Sequence, residues 1–98
     1  MWGMIGRMTL AAGKRDEMIA LLEGSADGMP GCLSYIVARD TADENLVWVT
    51  EVWESQAHHD ASLSLRQVQD AMPRAKPLIA SFERIAITEP VWMATVQP

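Results

Sequence analysis

The chain has 98 residues, one domain's worth near the small end of what folds alone, and it carries a net charge of −5 with no run of Lys or Arg. That balance argues against nucleic acid and against an anionic membrane surface as partners, because both are held by clustered positive charge. Apolar and aromatic residues make up 49% of the chain, with seven Met and four Trp; this exceeds what one small core hides, so a second apolar face buried in a twofold homodimer is expected.

Trp2 to Leu10 alternates as a strand. Trp2, Met4, Gly6, Met8 and Leu10 share one face, and Gly3, Ile5, Arg7 and Thr9 share the other. The segment has no basic leader, is interrupted by Arg7 and falls short of the ~20 apolar residues of a membrane span, so it reads as a mature strand of a soluble, cytoplasmic protein. Lys14 to Ser25 changes to helical spacing, with Met18, Leu21 and Leu22 on one stripe, and Gly28, Pro30 and Gly31 stop that helix.

Leu33 to Arg39 forms a second strand, preceded by the lone Cys32, which offers neither a disulfide nor a thiolate cluster. After the polar turn 40–45, Leu46 to Trp53 runs back as a third strand. Its faces are both largely apolar, with Leu46, Trp48 and Val52 on one and Val47, Val49 and Trp53 on the other. A sheet covered on both sides is the expected cause: helices on one face and a partner sheet on the other. Trp48 is then a candidate for the dimer core, and Arg7 and Arg39 are assigned to the partner-facing side with Glu51 or Asp40 as ion-pair partners.

Ser55 suits a helix N-cap, because its hydroxyl accepts from first-turn amides. Two helical segments, Gln56–Ser64 and Leu65–Ala75, should follow, with a kink or break at Pro73. Pro77 ends the second, Phe82 to Thr88 is the last strand, and residues 91–98 form an apolar tail expected to cross to the partner. The order β-α-β-β-α-β over residues 2–90 defines an α+β, ferredoxin-like fold with one four-stranded antiparallel sheet.

The two histidines of the chain, His58 and His59, are adjacent. Neighbouring helical residues point ~100° apart, so the pair cannot chelate one ion, and no metal site is expected. His59 shares a helical side with Ser62, Leu63 and Arg66, whereas His58 falls toward the edge of that stripe. Two readings stand for His59, a pocket residue or a space-filling corner residue. The same holds for Trp53, whose large ring wedges helix from sheet in either case.

Pro30-Gly31-Cys32 before the second strand and Glu51-Val52-Trp53-Glu54-Ser55 closing the third resemble the antibiotic biosynthesis monooxygenase family. The resemblance spans Trp2 to Pro90. It implies a dimeric α+β barrel with a small-molecule cavity in each subunit, and for some members oxygenation of quinols or polycyclic phenols by O2 without metal or flavin. In those members an Asn and a Trp on the third strand, a Tyr on the next helix and an Arg carry the chemistry. Here Trp53 matches the Trp, Val49 stands in place of the Asn, His59 falls in the Tyr region, and the Arg falls near Pro73–Arg74. The haem-degrading branch is set aside, since Gly6, Ser62 and Met72 stand where its functional residues would be.

The expected site therefore comprises His59 as proton acceptor or oxyanion donor and Trp53 holding an aromatic ring. Met4, Gly6, Met8, Val49 and Ser62 complete the substrate pocket, and no cofactor is called for. A non-catalytic dimeric small-molecule-binding or stress-associated module is the alternative that the loss of the Asn supports. A cofactor-free isomerase is a second alternative.

Overall fold

The computed structural model describes residues 1–94. Strands β1 (Trp2–Leu10), β2 (Cys32–Arg39), β3 (Leu46–Trp53) and β4 (Ile79–Thr88) form one antiparallel sheet in the order β2-β3-β1-β4. Helices α1 (Arg15–Ser25), α2 (Gln56–Ser62) and α3 (Arg66–Ala75) complete the ferredoxin-like order, followed by a 3-10 turn at Lys76–Leu78. Of the tail, 91–94 continues without regular structure and leaves Val91 and Trp92 exposed. The rest of the expected crossing segment, 95–98, lies outside the described residues.

Alternation in β1 and β3 decides which face the helices cover. Met4, Met8 and Leu10 from β1 and Val47, Val49 and Trp53 from β3 are all buried. Met8, Leu10, Val47 and Val49 join Met18 of α1 and Leu78 in the principal core, under 8% exposed each. Closing each such side chain off from water contributes about 1.5–3 kcal/mol. Val47 and Trp53 are wholly enclosed. Asp16 and Glu17 in the first turn of α1 favour that helix start through the exposed amides and the dipole.

Several boundaries differ from the pattern-based expectation. Strand β4 begins at Ile79, three residues before Phe82, because Ile79 pairs with Leu10 across a register shift. A second shift between Ile5 and Gly6 leaves Ile85 outside the pairing. Helix α2 stops at Ser62, two residues short of Ser64. Pro73 does not end α3, which continues to Ala75; Pro73 forfeits one backbone donor only a turn before the helix stops. Pro77 then occupies the start of the 3-10 turn, where a missing N–H costs little.

The ion pairs also differ from expectation. Arg7 does lie on the uncovered sheet face, but it pairs with Glu83 at 2.8 Å and lies 5.5 Å from the ring centroid of Trp48. Arg39 shares the helix-side row with Val47 and pairs with Asp16 of α1 at 2.9 Å. Glu51 pairs with neither arginine, because strand alternation turns it inward beside Val49 and Trp53. Asp40 instead accepts from the Trp48 indole at 2.9 Å, and this bond, reinforced by the Asp43 and Ala42 amides, holds its carboxyl below the usual range.

Candidate functional site

The β3–α2 corner sets the geometry of the site. Ser55 is extended, and its hydroxyl accepts from the His58 amide at 3.2 Å, which starts α2 at Gln56. His58 stays outside: its Nδ1 lies 2.7 Å from the Ser55 hydroxyl and its Nε2 lies 3.6 Å from Glu54. The His58 ring sits directly on Gly31, so that a Cβ at Gly31 would overlap it, and Gly31 adopts φ +79°. The Gly31 carbonyl accepts from the Glu54 amide at 2.9 Å. The Pro-Gly-Cys and Glu-Val-Trp-Glu-Ser stretches thus form one interlocked corner.

With His58 turned out, the next residue turns in. His59 is buried, with its ring 4.7 Å from the Trp2 ring and 5.7 Å, edge-on, from the Trp53 ring. Trp2 and Trp53 are register partners on β1 and β3, so two neighbouring strands supply one aromatic wall for the imidazole. His59 Nδ1 lies 3.1 Å from an Asp60 carboxylate oxygen. An ionised carboxylate only accepts, so Nδ1 carries the hydrogen, and in the neutral ring Nε2 keeps a free lone pair.

A cavity of about 290 Å³ lies between the sheet and the helices. Met4, Trp53, His59 and Ser62 line it, together with Glu51, Tyr35, Phe82 and Arg84. Leu22, Met29, Leu63 and Val68 supply much of the remaining apolar wall. Met8 and Val49, expected in the pocket, belong to the core cluster instead, one or two rows further along the sheet. Gly6 is covered by the Phe82 ring, which occupies the space a Cβ would need. Ser62 donates its hydroxyl hydrogen to the His59 carbonyl, so the hydroxyl oxygen reaches the cavity as an acceptor. The arginine expected near Pro73–Arg74 does not contribute: Arg74 lines an outer groove between α1 and α3, while Arg84 of β4 faces the cavity.

Glu51 is the principal site residue that the sequence reading misplaced. It is 6% exposed, and the Trp53 indole donates to its Oε1 at 3.0 Å. Burial pushes its carboxyl above the usual range, with the Trp53 bond, His59 and Arg84 opposing that rise. The available signal was its place in the row Val47, Val49, Glu51, Trp53, where a carboxylate on a covered face calls for a reason. Tyr35 is pushed well above the ordinary phenol range by burial and by Glu51, so it serves as a neutral donor and not as a base. Cys32 is also raised by burial and by Glu51, which keeps it a thiol.

The arrangement joins an imidazole with a free nitrogen, a carboxyl that favours its proton, a phenol donor and a mostly apolar wall. Such a set can take a proton from a bound phenol and return one. Among the described residues no group of three or more His, Cys, Asp or Glu is placed to hold a metal ion, and no helix is long and apolar enough to cross a membrane.

Residues 1–74 match the family model described as antibiotic biosynthesis monooxygenase. A structure from Chloroflexus aurantiacus J-10-fl, provisionally assigned to that class, is 47% identical, with a TM-score of 0.92 and 98% of each chain covered. One from Deinococcus radiodurans, with the same provisional assignment, is 22% identical over the whole of both chains at a TM-score of 0.77, a likeness of fold. Rv0793 from Mycobacterium tuberculosis shares the fold at 18% identity and a TM-score of 0.77, with 96% of this chain and 98% of that one covered. No curated protein matches the chain.

Proposed function

The chain belongs to the antibiotic biosynthesis monooxygenase family, and from that premise we propose that it is a cofactor-independent monooxygenase acting with O2 on a quinol-like or other small aromatic substrate. One observation carries this reading: His59, Trp53 and Glu51 line the same aromatic-walled cavity. An engineered cavity of ~150 Å³ takes up benzene. On that scale, a space of about 290 Å³ suits two fused rings better than three.

His59 Nε2 takes the phenolic proton, which leaves an electron-rich anion able to give an electron to O2 directly. Phe82 supplies an aromatic face for the ring, and Trp53, enclosed behind Glu51, holds that carboxyl in place through its indole. Tyr35 and Arg84 supply a hydrogen bond and a positive charge for the oxygen that becomes anionic. The shortage of competing polar groups in the wall keeps these interactions strong. Oxygen uptake with a panel of menadiol-like and anthrone-like substrates tests the reading. Uptake well above the autoxidation blank, lost in His59→Ala, is the expected result; a rate equal to the blank would sink it.

A homodimer built through the uncovered sheet face is part of the proposal. Ile36, Ile85 and Trp92 are 54%, 45% and 79% exposed in the single chain, which supports burial against a second copy. The single Cys32 supports a reducing cytoplasm as the setting. A cofactor-free isomerase is the second reading, because Glu51 and His59 provide the acid–base pair that proton relocation needs. Turnover of a substrate under strictly anaerobic conditions would favour that reading over the oxygenase.

A further inference from the structure

We propose that Glu51 is a second catalytic residue of the cavity: it protonates the peroxide formed from O2 and then, as the carboxylate, removes the hydrogen from the oxygenated carbon. The inference rests on the oxygenase reading above and assigns to Glu51 the half of the reaction that His59 cannot perform while it holds the substrate's proton.

Geometry is the first support. Glu51 projects into the cavity from the middle of the β3 row, between core residue Val49 and Trp53, where a purely structural position would be apolar. The Trp53 indole donates to Oε1 at 3.0 Å, which fixes the carboxyl plane, and among the described residues no protein group bonds Oε2. No buried oxygen of Glu51 is left orphaned, so Oε2 is open to the cavity. The charged and titratable groups facing Glu51 are His59 from α2, Arg84 from β4, and Tyr35 and Cys32 from β2. Burial raises the carboxyl's hold on its proton against the opposing pull of the Trp53 bond, His59 and Arg84, which suits a group that must donate.

The proton and electron balance closes with these two residues. His59 Nε2 takes the phenolic proton, and the phenolate passes one electron to O2. The resulting radical pair joins at a ring carbon that still carries hydrogen, forming a C–O bond and a peroxide anion. Glu51 gives its proton to the terminal oxygen and becomes a carboxylate. That carboxylate then takes the hydrogen from the same carbon as a proton. The C–H electron pair becomes the second bond of a carbonyl, the O–O bond breaks, and the departing hydroxide takes the proton held by His59. Water leaves, the substrate has given four electrons to O2 (two in forming the C–O bond and two as the C–H pair becomes the carbonyl), the organic product retains one oxygen atom, and both residues regain their starting states.

The test is Glu51→Gln, which keeps an acceptor for Trp53 while removing the exchangeable proton, with Glu51→Asp as a second variant that retains a carboxyl. A 1,4-naphthoquinol is the probe. Its binding and ionisation are followed anaerobically by absorbance, and its oxygenation by O2 uptake. Glu51→Gln should still bind and ionise the quinol, while oxygenation falls ~10²–10³-fold, as expected for loss of a general acid–base group. The alkaline limb of the wild-type pH profile should also disappear, and Glu51→Asp should recover part of the rate. Unchanged oxygenation in Glu51→Gln overturns the role while leaving the oxygenase reading intact. Loss of binding and ionisation together with the rate overturns it in favour of substrate holding. Absence of wild-type uptake above the blank overturns both readings.

Discussion

Replacing Gly31 with Ala would act on the corner that aims His59 into the cavity, and its cost can be assembled from separate parts. Gly31 has φ +79°, and an alanine there carries the left-handed penalty of ~1–2 kcal/mol. The added Cβ overlaps the His58 ring, so the imidazole must leave its seat. Displacing it disturbs the Ser55 cap on the His58 amide, a bond type worth ~0.5–2 kcal/mol. The expected total is therefore about 1.5–4 kcal/mol. At ~4–8 °C per kcal/mol for a domain of this size, that is a fall in Tm of roughly 6–32 °C. Gly13→Ala is the control, because Gly13 has φ +77° but open space where its Cβ would be. It should lose ~1–2 kcal/mol alone. Urea unfolding of Gly31→Ala, His58→Ala and the double variant measures the ring's share of the collision: removing the ring should recover part of the loss, while the Cβ of residue 58 still crowds the new methyl and keeps the cost above that of Gly13→Ala. Equal destabilisation by Gly31→Ala and Gly13→Ala, within ~0.5 kcal/mol, would refute the interlocked corner.

Glu51→Gln should raise thermal stability relative to the parent at pH 8, and this advantage should shrink as pH falls through the raised folded value toward the unfolded carboxyl value of ~4.3, below which it levels off. The sign follows from the raised folded value: above ~4.3 the unfolded chain binds fewer protons than the native one, so ionisation penalises the native state as pH rises; a pH-independent difference in Tm would contradict it. Restoring the family asparagine as Val49→Asn should cost roughly 2–4 kcal/mol in denaturant unfolding without adding activity, because position 49 lies in the closed core and not on the cavity wall. Val68→Trp should abolish naphthoquinol binding in a fluorescence titration by filling the cavity, and retained affinity would place the ligand elsewhere. Glu83→Ala should change stability by under ~1 kcal/mol, since its pair with Arg7 lies on the uncovered face; a larger loss in the isolated subunit would overturn that estimate.

The order of elements and the faces of β1 and β3 were legible because period-two alternation needs no tertiary knowledge. The Ser55 cap and the place of His58 at the edge of the helical stripe followed from local chemistry in the same way. The boundaries that moved, at Ile79 and Ser62, depend on register shifts and on loop closure, which leave no local mark. Met8 and Val49 were misassigned for a different reason. A strand row is continuous in sequence, but the helices cover its two ends differently, so one end becomes core and the other becomes cavity. Glu51 was paired with arginines by charge complementarity, yet strand alternation already turned it toward Trp53. Arg84 and Trp2 reach the site only through pairing with β1 and β3, a long-range fact that spacing along the chain does not contain.

Turnover of a naphthoquinol under ¹⁸O2, read by mass spectrometry of the product, tests the central claim most directly. One labelled oxygen atom in the product and one in water, with incorporation abolished in His59→Gln, is the predicted result. Unlabelled product, or oxidation of the quinol with both labelled atoms released as hydrogen peroxide, would contradict oxygen insertion in this cavity.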